Sequence, residues 1–313
     1  MRVLLHFNAP PRLVSRLHAL AAESFDVTVI AETDIVAFDA ALPSTDVLWH
    51  VLRPVTASEI AAAARLKLIQ KFGVGVNTID VAAAAAHGIA VCNMPGTNTQ
   101  AVAEMTLLLM LACLRHLPQL QRVARDGNAW SLPPSLQGDV GELAGRTVGL
   151  VGFGAVPSRL APWLVSMGAR VVYTARSARA VPYERLPLET LLASADVVSL
   201  HMPATPETTH LLDARRLALM RRGAILVNTA RGALIDATAM VDALRSGQLA
   251  AAGLDVAAVE PLPAAHPLHA MPQVVLTPHV AWLTRETFAR SLDVALDNLR
   301  RLQRGDARVH RFA

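Results

Sequence analysis

Only two cysteines, Cys92 and Cys113, occur in 313 residues. That is too few for a disulfide framework or a four-thiolate metal site. Both lie in apolar surroundings and are expected to be small core residues in a reducing compartment. Long hydrophobic runs are also missing. The longest stretches from Met105 to Leu114, between Glu104 and Arg115, about half of a membrane span. The opening MRVLLHFNAP is shorter in its apolar part than the hydrophobic region of a signal peptide. These absences predict a cytoplasmic protein that does not engage a membrane. Aromatics make up 4% of the chain, and the formal charge of +4 is carried largely by arginines scattered along helical patterns, such as Arg12, Arg16, Arg65, Arg122, Arg215 and Arg300. Nucleic-acid binding needs basic residues clustered and interleaved with aromatics, so no nucleic-acid partner is expected.

What is present is an ordinary globular composition, 53% apolar and 17% charged, in a chain long enough for two domains. Strand-like and helix-like segments alternate through the first hundred residues: RVLLHF, a helix from Pro11, VTVI, DVLWHV, a helix over 58–65 capped by Thr56 or Ser58, LKLIQKF, an Ala-rich helix capped by Asp80, and the strand 89–92. The spacing from Thr99 to Leu117 predicts one long apolar helix ended by Pro118, expected to pack between domains or subunits. A polar passage over 126–139 reads as a linker. A second alternating series then runs through TVGLVGF, ARVVYT, DVVSLH, AILVNT, AAGLDV and QVVLTP, with a helix over 236–245 capped by Asp236, and closes on an amphipathic helix over 285–303. Alternation of this kind implies parallel sheets covered on both faces, an α/β protein.

In the second series, Gly152 and Gly154 follow a strand and open a helix. In that context G-x-G marks a dinucleotide turn: a tight bend, close backbone approach to the pyrophosphate, and amides at a helix N-terminus. The third glycine of the fingerprint is replaced by Pro157. A first-turn proline forfeits no intrahelical bond, although the close helix–strand packing that glycine gives is lost. At the end of ARVVYT, the acidic residue that usually binds the adenosine ribose is absent, and Ala175, Arg176 and Ser177 stand there instead. A guanidinium and a hydroxyl suit a 2′-phosphate, with charge-assisted bonds of roughly 1.5–3 kcal/mol each. NADP(H) is therefore expected over NAD(H), by at least about tenfold.

Open parallel sheets bind ligands beyond the carboxyl ends of their strands. Three candidates lie there: Arg231 after AILVNTA, Glu260 after AAGLDVAAV, and His279 after QVVLTP. Arg231 offers a rigid fork for a carboxylate beside a ketone. Amides at Val74, Gly75 and Val76 can add bonds to that carboxylate. His279 can give a proton to the alkoxide formed when hydride arrives, and Glu260 can fix which ring nitrogen faces substrate. His266 and His269 have no completing cysteine or carboxylate, so no metal is expected.

NTARGALID, AAGLDVAAVEPLP, VVLTPHVAW, KFGVGVNTID, NMPGTNTQAVAE and HMPATPETTHLL together resemble the D-isomer-specific 2-hydroxyacid dehydrogenases, over nearly the whole chain. The resemblance implies a Rossmann-type nucleotide-binding domain, here 98–284, inserted into a flavodoxin-like substrate domain, here 1–97 and 285–313. It implies catalytic Arg231, Glu260 and His279, with Trp282 bordering the substrate. To the cofactor contacts read from the residues, Gly152, Gly154, Arg176 and Ser177, it adds Ala155, Val156, Thr205, Ala230, Asp255 and His279, and it implies a homodimer; Pro157 and Ala175 with Arg176 depart from the family's pattern. Reduction of glyoxylate or hydroxypyruvate is the first expectation. An NAD-dependent enzyme of the phosphoglycerate or D-lactate type, or a silent cofactor-sensing scaffold, stays open at this point.

Overall fold

The computed structural model describes residues 1–128, 130 and 134–313, and the chain divides into two compact units. The first comprises residues 1–98 and 284–313. It contains β1 (Arg2–His6), α1 (Pro11–His18), β2 (Asp26–Ile30), α2 (Ile35–Ala41), β3 (Val47–His50), α3 (Ala57–Ala62), β4 (Leu68–Lys71), α4 (Val81–Ala86) and β5 (Ala90–Cys92). All five strands are parallel in the order β2-β1-β3-β4-β5. Every residue of β3 and β4 is buried. Strands with both faces covered carry continuous rather than alternating apolar runs. One face packs Leu4, Leu48, Ile69 and Val91 against Phe38 of α2 and Ile60 of α3. Thr56, rather than Ser58, starts α3: its hydroxyl takes the Glu59 amide while the Glu59 carboxylate takes the Thr56 amide. That reciprocal pairing follows from the T-x-x-E spacing.

The second unit comprises residues 99–283. It contains α5 (Thr99–Leu114), α6 (Leu117–Val123), β6 (Thr147–Val151), α7 (Ala155–Ser166), β7 (Arg170–Thr174), β8 (Glu184–Arg185), α8 (Leu188–Ser194), β9 (Val197–Leu200), α9 (Ala214–Leu219), β10 (Ala224–Asn228), α10 (Ala237–Arg245), β11 (Leu249–Leu254) and β12 (Val274–Leu276). The seven strands are parallel in the order β12-β11-β10-β9-β6-β7-β8, so the strand order reverses between β6 and β9. The chain then returns to the first unit as α11 (Arg285–Arg304), begun by Thr284 and ended by Gly305.

Three sequence expectations shift here. The helix from Thr99 ends at Leu114, His116 turns to φ 50°, and Pro118 sits in the first turn of α6. A proline lacks only an amide that a helix start leaves unpaired, so it opens the second helix instead of closing the first. Within its own unit α5 packs on β10, β11 and α7, while Leu108 on it stays exposed. The polar passage over 126–139 begins in a helical turn through Asn128 and lies partly outside the described residues. The strands expected over 251–256 and 273–278 are β11 and β12, which stop at Leu254 and Leu276. Asp255 and Thr277–His279 therefore belong to loops. Among the described residues, no single helix is long and apolar enough to cross a bilayer.

Candidate active site

The strand order reverses between β6 and β9, and that reversal is where an open α/β sheet leaves a crevice at its carboxyl edge. The chain enters it through Gly152, at φ 94°, where an added Cβ would stand 2.6 Å from the His201 carbonyl oxygen. Gly154 then caps α7, with nothing within 4 Å of where its side chain would be. The first-turn amides of a helix have no intrahelical acceptor, and here they belong to Ala155 and Val156, with no acidic side chain in that turn. The next amide, of Ser158, already donates to the Gly154 carbonyl. A bare helix start with open space over Gly154 fits a pyrophosphate. Pro157 is buried and lies inside the first turn, so the helix forms normally despite the missing third glycine.

Arg231 leaves the end of β10 in an extended conformation. The fully buried Asn228 shapes this turn from both sides. Its Oδ1 accepts from Ala230 N–H at 2.9 Å, and its Nδ2 donates to the Arg231 carbonyl at 2.8 Å. The Arg231 guanidinium donates to the Ala230 carbonyl at 2.6 Å. Burial draws its pKa below the ordinary value, against the opposing pull of the Glu260 charge. Gly232 follows and lies so close to Ala257 that any Cβ would overlap the Ala257 carbonyl group. The arginine turn and the loop bearing Glu260 are thereby pressed together.

Glu260 and His279 are brought together directly. Glu260 Oε2 lies 2.7 Å from His279 Nδ1, and Oε1 accepts from Ala257 N–H at 3.0 Å. Burial pushes this carboxyl up, but the His279 hydrogen bond and charge, the Ala257 amide and Arg231 outweigh it and hold it below the usual carboxylate range. An ionised carboxylate only accepts, so Nδ1 carries a proton and Nε2 is the nitrogen presented elsewhere. His279 itself sits at φ 55°, a left-handed conformation that costs a non-glycine residue roughly 1–3 kcal/mol.

Asp255, only 1% exposed, holds it there. One carboxylate oxygen accepts from Thr277 Oγ1 at 2.6 Å and Val280 N–H at 2.9 Å, and the other accepts from Ala281 N–H at 2.9 Å. The Asp255 backbone carbonyl takes the His279 N–H at 2.8 Å. Burial raises the pKa of Asp255, and the three donors and His279 offset this only in part. Trp282 is buried and donates from Nε1 to the His279 carbonyl at 3.1 Å. The sequence marks Asp255 as a cofactor contact; the structure engages its carboxylate with the histidine loop. Sequence reasoning misses Asn228 and Thr277, although a polar residue ending an apolar strand, or directly following one, is a readable signal.

The remaining candidates have local surroundings of their own. Arg176 and Ser177 are exposed on the turn after β7. Thr205 closes a short turn with Thr208, whose hydroxyl takes the Thr205 amide at 2.7 Å. Val74, Gly75 and Val76 form a loop of the first unit, where Asn93 Nδ2 donates to the Val74 carbonyl at 2.9 Å. His266 caps a short turn by accepting from Leu268 N–H. Among the described residues, no group of three or more His, Cys, Asp or Glu side chains is arranged to hold a metal ion.

The model of the D-isomer specific 2-hydroxyacid dehydrogenase NAD-binding domain matches residues 107–281. The glyoxylate reductase of Aeropyrum pernix is 42% identical over 249 residues, 77% of this chain and 74% of that protein. The hydroxypyruvate reductase of Thermotoga maritima is 38% identical over 256 residues, 80% and 82% of the two chains. The crystal structure of the TT0316 protein from Thermus thermophilus superposes with a TM-score of 0.91 at 40% identity, covering 100% of both chains.

Proposed function

Because the chain belongs to the D-isomer-specific 2-hydroxyacid dehydrogenase family, we propose that it reduces small 2-oxo acids with NADP(H), glyoxylate and hydroxypyruvate first among them. The observation that carries this reading is the 2.7 Å bond between Glu260 and His279 Nδ1, in the same unit as the Gly152 turn. Relatives named for glyoxylate and hydroxypyruvate reduction support the substrate class.

The chemistry follows from the side chains. A bound nicotinamide supplies the hydride. Arg231 takes the substrate carboxylate and polarises the ketone with its planar fork, and the backbone amides of Val74, Gly75 and Val76 are a substrate-binding element of the first unit. His279 Nε2 gives the proton that the nascent alkoxide needs and removes it in the reverse direction. Glu260 keeps Nδ1 protonated, so Nε2 can cycle between donor and acceptor. Trp282 borders the substrate. Residues 98–284 serve as the nucleotide-binding domain, and 1–97 with 285–313 as the substrate domain. Gly152, Gly154, Ala155, Val156, Thr205, Ala230, Asp255 and His279 would hold the cofactor. The absence of an acid at Ala175, together with Arg176 and Ser177, favours a 2′-phosphate. The enzyme acts in the cytoplasm as a homodimer.

The test is NADPH oxidation across glyoxylate, hydroxypyruvate, pyruvate and bulkier 2-oxo acids. Arg231→Ala and His279→Ala are the controls, and His279→Ala is expected to lower kcat by about 10²–10⁴-fold. Wild-type rates in either variant would reject the assigned roles. Cofactor binding without turnover on any 2-oxo acid would identify a scaffold instead.

A further inference from the structure

The turn after β7 is where an adenosine ribose is met in a dinucleotide fold, and in this chain an arginine from the next strand grips it. Arg185, on the edge strand β8, stands beside Tyr173 in the parallel ladder, and its guanidinium reaches past the end of β7. Its Nε donates to the Ala175 carbonyl at 3.1 Å. Its Nη2 donates to the same oxygen at 2.8 Å and to the Arg176 carbonyl at 3.2 Å. The other end of the turn is also fixed. Arg179 N–H donates to the Tyr173 hydroxyl at 2.9 Å, and the Tyr173 ring is buried against Phe153 at 4.6 Å.

This clamp has an electrostatic consequence. A 2′-phosphate carries about −1.5 to −2 charges near neutral pH and offers only acceptor oxygens. Backbone carbonyls aimed at it would repel it. Arg185 draws two successive carbonyls onto its own guanidinium, and the polar side chains left exposed on the turn are those of Arg176, Ser177 and Arg179. A lysine could not do this, because a single ammonium lacks the fork that holds one oxygen through two donors while reaching another.

We infer that Arg185 is a positioning residue that sets cofactor discrimination, by holding the 175–176 carbonyls away from the ribose 2′ position. The inference rests on the NADP(H) reading above. Its role is distinct from direct phosphate contact, and it predicts a selective effect at one end of the cofactor.

Calorimetric binding of 2′,5′-ADP and 5′-AMP to the full chain separates the possibilities, with wild type, Arg185→Ala and Arg185→Lys compared. Arg185→Ala is expected to weaken 2′,5′-ADP by about tenfold or more while changing 5′-AMP by less than about threefold, the size of one lost charge-assisted contact. Arg185→Lys should recover only part of the loss. At saturating NADPH, kcat and the KM for glyoxylate should stay near wild type. A wild-type preference for 2′,5′-ADP that survives both substitutions overturns the Arg185 inference alone, as does equal weakening of the two nucleotides. Tighter wild-type binding of 5′-AMP than of 2′,5′-ADP overturns the NADP(H) reading whatever the variants do.

Discussion

Two segments at the carboxyl edge of the seven-stranded sheet are built on opposite principles. The turn after β6 is defined by missing atoms: Gly152 has no Cβ to strike the His201 carbonyl, and no side chain caps α7. The loop after β12 is defined by a carboxylate that ties Thr277, Val280 and Ala281 into place and holds His279 at φ 55°. The first leaves room and amides for a ligand. The second aims a side chain by fixing its backbone from several directions. One should fail when atoms are added, the other when they are taken away.

The largest effect is expected from subtraction at Asp255. Asp255→Ala removes the acceptor of three hydrogen bonds and leaves buried donors unpaired, at roughly 1–3 kcal/mol for each such group. We expect the melting temperature to fall by several degrees and kcat to drop about a hundredfold or more as His279 relaxes from its left-handed conformation. Near-normal kcat would mean the loop holds itself. Addition at the other segment comes next. Gly152→Ala should weaken the cofactor Kd by about tenfold and destabilise by roughly 1–3 kcal/mol, while the KM for glyoxylate stays unchanged. A shift in the 2-oxo acid KM would mean that the two segments are not independent.

A third expectation concerns the ground beneath the glycine turn. His201 Nε2 is buried without a hydrogen-bond partner, and burial pulls its pKa down to about 3. The unfolded chain, with histidine near its ordinary value of about 6.5, therefore binds this proton first. Stability is intact above about pH 6.5 and falls as pH drops toward 3, by about 2 kcal/mol at pH 5. His201→Asn should flatten the pH dependence of unfolding across that window, and an unchanged slope would show that another group dominates. The smallest effect is expected from the thiols. Burial raises Cys92 to about 11 and Cys113 to about 12, so almost no thiolate exists near neutrality. Iodoacetamide should leave the native enzyme fully active, and measurable alkylation would contradict this.

Much of this architecture is legible in the residues alone, because the signals are local. Alternating apolar segments predict two α/β series, Thr56 or Ser58 and Asp236 mark helix starts, and G-x-G after a strand marks the turn at Gly152. The harder features depend on partners distant in sequence. The two-residue strand β8 has no pattern of its own and exists because Val172 and Tyr173 offer it a ladder. Pro118 signals the end of one helix and the start of another equally well, and only the conformation of His116 decides. Asp255 and Glu260 are both acids near strand ends, yet one binds a loop and the other an imidazole. That distinction depends on where β11 stops. Arg185, among many exposed arginines, carries no mark at all.

The contact of Gly232 with Ala257 bears on how such an enzyme could change its substrate. The guanidinium and the acid are joined by a steric seam with no adjustable side chain in it. Shifting Arg231 to follow a longer or bulkier acid would drag the Glu260 loop along and detune the imidazole in the same motion. Altered specificity should therefore arise through walls remote from this seam, while position 232 resists replacement in any selection for new activity.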